Sequence, residues 1–167
     1  MKKMIRLATA GAVLAAAASL TTAANAATDN VTASATILTG LNLTETSTLN
    51  FASVAVNGAG TVVVGAGAAV DQCLGLVVCA GTKSAAAWTV TGAAGMTILA
   101  TVQQSTITLT SLASDTMTVD TFSVAYAPSA VLTGGSTSFE VGATLHVAAA
   151  QPAGVYSGNF DVDVVYN

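Results

Sequence analysis

Charge is scarce in this 167-residue sequence: Asp, Glu, Lys and Arg make up 7% of it, four of them basic and eight acidic. Three of the four basic residues, Lys2, Lys3 and Arg6, fall at the very start. Past them Lys83 stands alone against eight Asp and Glu, which leaves residues 27–167 with a net charge of −7. Such a chain cannot neutralise phosphates, which excludes nucleic acid as a partner, and it offers no basic patch to an anionic membrane. Histidine occurs once, as His146, which removes most acid–base and nucleophilic machinery built on that side chain. No GxSxG elbow and no glycine-rich phosphate loop leads into a helical pattern, so neither a serine hydrolase nor a nucleotide site is supported. The sequence predicts no enzyme and no cofactor.

What is present begins with an export signal. Lys2, Lys3 and Arg6 precede an apolar run from Leu7 to Leu20, and Ala24-Asn25-Ala26 has the small residues of a cleavage site. This pattern predicts a secretory signal over residues 1–26, cut before Ala27. A retained membrane anchor is the weaker alternative, because the run falls short of the roughly 20 residues that span a bilayer. Cys73 and Cys79 are the only cysteines, and in an exported chain thiols oxidise. A short-loop disulfide is therefore the favoured reading, contributing about 2 kcal/mol on the chain-entropy model. A metal site would need further ligands nearby, and the sequence places none there.

The remaining residues read as strands. Val31, Ala33, Ala35, Ile37, Leu41 and Leu43 alternate with polar residues, and Leu49 and Phe51 follow in the same parity before a turn expected at Asn57-Gly58-Ala59-Gly60. Thr61–Val64 reads as a short buried strand, and Gly65–Lys83 as a glycine-rich excursion carrying both cysteines. Trp88, the one tryptophan, is expected to anchor a core between two sheets. Met117 and Val119 are odd while Phe122 and Val124 are even, which predicts an inserted residue, a β-bulge, near Asp120-Thr121. A turn is expected at Thr133-Gly134-Gly135-Ser136, and Phe139, Val141, Ala143, Leu145 and Val147 alternate after it, turning His146 to solvent. Short strands with turns every eight to twelve residues or so predict one all-β domain over residues 27–167, an immunoglobulin-like antiparallel sandwich.

The last stretch, Pro152–Asn167, has the clearest pattern. Tyr156, Phe160, Val162, Val164 and Tyr166 share one parity and Asp161, Asp163 and Asn167 the other, the mark of a strand with one face in a core. Such a strand is either an edge beside an earlier segment or is completed by another molecule. Asp161 and Asp163 emerge on one face about 7 Å apart, within reach of glycosidase-type or calcium-binding chemistry. The alternation alone accounts for them as the solvated side of a half-buried strand.

The ending Gly154-Val155-Tyr156-Ser157-Gly158-Asn159-Phe160-Asp161-Val162-Asp163-Val164-Val165-Tyr166-Asn167, the preceding VGATLHVAAAQPAG, the early ASATI, the LNF at Leu49–Phe51 and the WTVTG at Trp88–Gly92 resemble an exported bacterial family, domain of unknown function 4402. The ending is also similar to chaperone–usher pilins and the spore coat protein U group, with Gly154 and Tyr166 at the positions of a recurring pilin pair. That likeness implies a sandwich lacking one strand, filled first by a periplasmic chaperone at an outer-membrane usher and then by the N-terminal extension of the next subunit. Residues 27–40 would be the donor extension, with Val31, Ala33, Ala35 and Ile37 as the inserted row. Gly154, Phe160, Val162, Val164 and Tyr166 would mark the acceptor. The function so implied is a structural subunit of a pilus or other surface fibre, a homo-oligomer passing through the periplasm to the cell surface. The alternative is a self-contained secreted or surface-attached adhesion protein, in which Val31–Leu43 is the domain's own first strand and pairs with Phe160–Tyr166.

Overall fold

The structure, a computed structural model, describes residues 29–67, 69–125 and 130–167. The expected export signal, residues 1–26, lies outside the described residues. All strands belong to one unit, Thr36–Asn167; of the unit before it, residues 29–35 are described and carry no strand. The strands are β1 (Asn42–Ser47), β2 (Ser53–Val64), β3 (Gln72–Ala80), β4 (Ala86–Thr91), β5 (Thr97–Val102), β6 (Thr106–Ser111), β7 (Thr116–Val124), β8 (Ala130–Val131), β9 (Ser136–Val147), β10 (Tyr156–Ser157) and β11 (Val162–Tyr166).

The fold is all-β and antiparallel, as the alternation predicts. The larger sheet has the order β1-β4-β9-β7-β6-β10, with β2 joining β9 and β3 joining β2, and the smaller sheet runs β11-β5-β8. The centre is β9. Along one edge its first half pairs with β4, from Thr91↔Ser136 to Ala86↔Val141, and its second half with β2, from Val64↔Ala143 to Gly60↔Val147. Its other edge pairs with β7.

Because β9 carries apolar residues at every second position, it feeds both cores. Phe139 and Val141 join Val90, Ile98 and Leu132 in one cluster, and Ala143, Leu145 and Val147 join Val62, Val64 and Val119 in the other. Burying each Val, Leu, Ile or Phe side chain among these is worth about 1.5–3 kcal/mol. Trp88 stacks on Phe139 at 5.3 Å between ring centres and meets Phe160 edge-on at 6.0 Å. It is half-buried at the margin of the cluster that holds Phe139 and Val141 rather than sealed inside it.

Several boundaries differ from the sequence reading. Residues 29–41 hold no strand, although their alternation predicts one; Ile37 is 95% exposed, so that row has no core to press against. The expected pairing of this segment with the last strand is replaced by two others, β1 with β4 and β11 with β5. Asn57-Gly58-Ala59 is a bulge inside β2 instead of a turn, because β3 runs alongside on both sides of it. The second part of the glycine-rich excursion, Gln72–Ala80, is strand β3, whose backbone bonds to β2 override its weak propensity. The irregularity at Asp120-Thr121 is present: the β7–β9 register shifts between Asp120 and Ser123, and Thr121 takes φ 52°. Gly134 and Gly135 both have positive φ in the turn before β9.

At the switch from β4 to β2, Gly142 faces the backbone where β2 leaves the sheet. A Cβ there would collide with the Val64 carbonyl and lie 2.7 Å from the Ala66 nitrogen. Gly142→Ala is expected to lower unfolding free energy by about 1–3 kcal/mol in urea titrations, through overpacking against rigid backbone. Gly40→Ala, with nothing within 4 Å of the new methyl, should move it by no more than about 1 kcal/mol.

Candidate functional site

The last strand, β11, lies at the edge of the small sheet. Its register against β5 runs from Val162↔Val102 to Tyr166↔Ile98. The Gln103 N–H donates to the Asp161 carbonyl and the Asn167 N–H to the Thr97 carbonyl, each at 3.0 Å. Hydrogen-bonded positions alternate in an antiparallel ladder, so Asp161, Asp163, Val165 and Asn167 turn their backbone groups toward β5. Val162, Val164 and Tyr166 therefore turn theirs the other way. Among the described residues no strand pairs with that side of β11.

The same three residues point their side chains inward. Val162, Val164 and Tyr166 are half-buried against the cluster that holds Val90, Leu132 and Val141, together with Phe160 and Leu41. One strand thus presents an open backbone edge and an apolar row at the same positions. The Tyr166 hydroxyl fixes its far end: it donates to the Thr39 carbonyl at 2.6 Å and accepts from the Ala93 N–H at 2.7 Å. The chain leading into β1 is thereby tied beside the end of β11.

Ahead of β11 the wall of the sandwich opens. Two hollows, of about 330 and 710 Å³, meet at Phe51, Leu109 and Tyr156. Segment 45–56 forms one side and segment 151–160 the other, over a floor that includes Ile107, Val119, Met117, Leu145 and Val147. Gly154 lies in the bend before β10, near Ser111, and Phe160 just ahead of β11. Of the expected acceptor residues, Phe160, Val162, Val164 and Tyr166 come together, while Gly154 stands apart at the wide hollow. The expected donor row divides between the two units, Val31, Ala33 and Ala35 in the first and Ile37 in the second, all without strand.

The two carboxylates of this stretch are engaged by neutral partners. Gln103 Nε2 donates to Asp163 Oδ2, and Gln104 Nε2 donates to Asp161 Oδ2 at 2.7 Å while its Oε1 accepts from the Asp161 N–H at 2.8 Å. This clamp, which fixes the register of β11 on β5, was missed by sequence reasoning. Its only signal is a pair of amides placed directly after the inward Val102. Among the described residues no three of His, Cys, Asp and Glu converge as metal ligands. Cys73 and Cys79 form a disulfide within β3, their Cα atoms 6.3 Å apart.

On the opposite sheet His146 is exposed and its Nε2–H donates to Asp120 Oδ1 at 2.8 Å. The hydrogen bond from His146, joined by that of the Thr121 hydroxyl, holds the Asp120 carboxyl below the usual carboxylate range.

The match to known families can be set on this geometry. The model of the Domain of unknown function (DUF4402) matches residues 41–166, from the residue before β1 to the end of β11. The chain belongs to this family. Searches of curated proteins and of solved structures find no match. In this DUF4402 domain the matched span contains every strand of the described residues, while the exposed row ending at Ile37 lies ahead of it.

Two predictions follow from these contacts. Tyr166→Phe leaves the Thr39 carbonyl and the Ala93 N–H without their partner, and should cost about 1–2 kcal/mol with faster amide exchange at Ala93. Asp120 has a depressed folded-state pKa, so its contribution is complete above the unfolded value of about 3.9 and is lost as pH falls through the folded value. Asp120→Asn should flatten that part of the acid limb of the stability curve while changing stability at pH 7 by less than about 1 kcal/mol, because the pair is exposed.

Proposed function

We propose that this chain is an exported structural subunit of a surface fibre, in which each copy completes its neighbour by donating a strand. The observation that carries the reading is the outer side of β11: three successive backbone pairing positions with no partner strand among the described residues, at Val162, Val164 and Tyr166, whose side chains form a half-buried apolar row. Strand addition at such an edge draws affinity from main-chain hydrogen bonds and selectivity from alternate side-chain pockets. The occupant is the segment around Val31–Ile37 of a second copy, charge-free and with small apolar residues at every second position. Seven extended residues span about 23 Å, enough to cover the five residues of β11. A periplasmic chaperone and an outer-membrane usher are the partners that would guard and exchange this edge during export.

A self-contained adhesion protein is the second reading. It is favoured by the completeness of the inner core: Val90, Leu132 and Val141 are already sealed from solvent at 0% exposure.

Deletion of residues 29–38 separates the two. On the fibre reading the full chain forms polymers, the deletion variant does not, and a synthetic peptide of residues 29–38 added to the variant slows amide exchange at Val162, Val164 and Tyr166. A purified full-length monomer in which those amides are already slow would overturn it in favour of the second reading.

A further inference from the structure

A second edge of the sheet carries a different device. Among the described residues β3 pairs only with β2, which leaves its other side without a partner strand, and it presents Leu74, Leu76 and Val78 at 49%, 63% and 55% exposure while Val77 turns into the core. From Gln72 to Thr82 the sequence contains no charged residue and no proline. Apolar, uncharged edges of this kind are templates for pairing with another chain, and natural sheets blunt them with lysine, proline or a sharp bend. Only the bend is used here. Val56 pairs with Val77 and Gly60 with Gly75, so three residues of β2 stand opposite Leu76 alone, and Gly75 takes φ 85°. A straight strand would hold residues six apart at about 20 Å. Cys73 and Cys79, six apart, have Cα atoms 6.3 Å from each other, and Cys73 pairs with Val62 on one side of the bend and Cys79 with Val54 on the other. The bridge therefore pins the hairpin folded across its own bulge.

We propose that the Cys73–Cys79 disulfide is a lock on this edge, and that opening it allows β3 to pair antiparallel with β3 of a second copy. Opening requires two electrons and two protons from a dithiol, which is itself oxidised to a disulfide as the bridge becomes two thiols. The occupant follows from charge. Asp71 and Lys83 flank the uncharged segment, and a two-fold centred on Val77 sets Leu76 against Val78 and Asp71 of one copy against Lys83 of the other. Lys83 is the only basic residue after Arg6, so this register matches the one available cation to a carboxylate. The two-residue offset across the bulge preserves the faces of both strands when the hairpin straightens, because side-chain direction repeats every second residue. The lock is independent of strand donation at β11.

The test compares the oxidised full chain, the same chain reduced with a dithiol and alkylated, and the Cys73→Ser/Cys79→Ser variant, by light scattering and amide exchange. Both opened forms are expected to gain mass and to slow exchange at residues 74–78 at least tenfold relative to the oxidised chain. Adding Leu76→Lys to the double variant should restore the mass of the oxidised form, since a charge then stands opposite Val78 of each partner and the two lysines meet diagonally across the edge. Opened chains that keep the oxidised mass would overturn the proposal, as would association in which residues 74–78 still exchange fast, or association indifferent to Leu76→Lys. Protection appearing at Val162–Tyr166 instead would assign the association to β11 and equally remove β3 from it.

Discussion

The double engagement of β9 is the constraint on which the rest of the body depends. One twelve-residue strand is bonded to β7 along one edge and to β4 and then β2 along the other, and its alternate residues enter both apolar clusters. With almost no charge available for ion pairs, stability has to come from this ladder and from apolar burial. The geometry also sets a local condition: where β2 departs and β4 takes over, two backbones approach so closely that only Gly142 fits. The sandwich opens toward β11 on one side and folds over at β3 on the other, and both features are consequences of which strands β9 already holds.

Poverty of charge has a second effect. The outward positions are filled by Thr, Ser and amides, which solvate a face without repelling a neighbour. Gln103 and Gln104 show how this works at the small sheet: uncharged donors hold Asp161 and Asp163, so the carboxylates tie β11 to the end of β5. His146 and Asp120 do the same across β7 and β9 on the exposed face. Each of these pairs is a hydrogen bond between neighbouring segments of a sheet.

The legible part of the fold was the part governed by period two. β9, β11 and the bulge at Asp120-Thr121 follow directly from parity, because a residue inserted in one strand of a ladder flips every side chain after it. What parity could not supply was the partner. Val31–Ile37 alternates as cleanly as β9 does, yet it carries no strand, since a pattern states which face would be buried and not whether a core is there to receive it. β3 was illegible for the opposite reason: Gly75 and the mixed sequence Leu74–Val78 hide its alternation, and the disulfide and the β2 ladder impose an order that local propensity does not. Gln103 and Gln104 gave no pattern at all, only proximity to the end of β5.

A free edge is dangerous in proportion to how straight, apolar and uncharged it is; β3 qualifies along its whole length, and β11 through its inward row Val162, Val164 and Tyr166, with Asp163 on its outward face. They differ in what lies beside them. β3 is bent against its own partner by a covalent link, a geometry that removes a pairing surface while leaving its apolar side chains outside. β11 is held straight by five registered pairs with β5 and by the Tyr166 hydroxyl, with its unpaired backbone groups on the same residues as its inward row. An edge kept straight costs more to leave exposed than one that is folded, so a chain with a single net sign of charge and few other defences would keep such an edge only where something is meant to occupy it. The asymmetry between a folded edge and a straight one, within one charge-poor domain, is the physical ground for reading β11 as an acceptor and β3 as a site held closed.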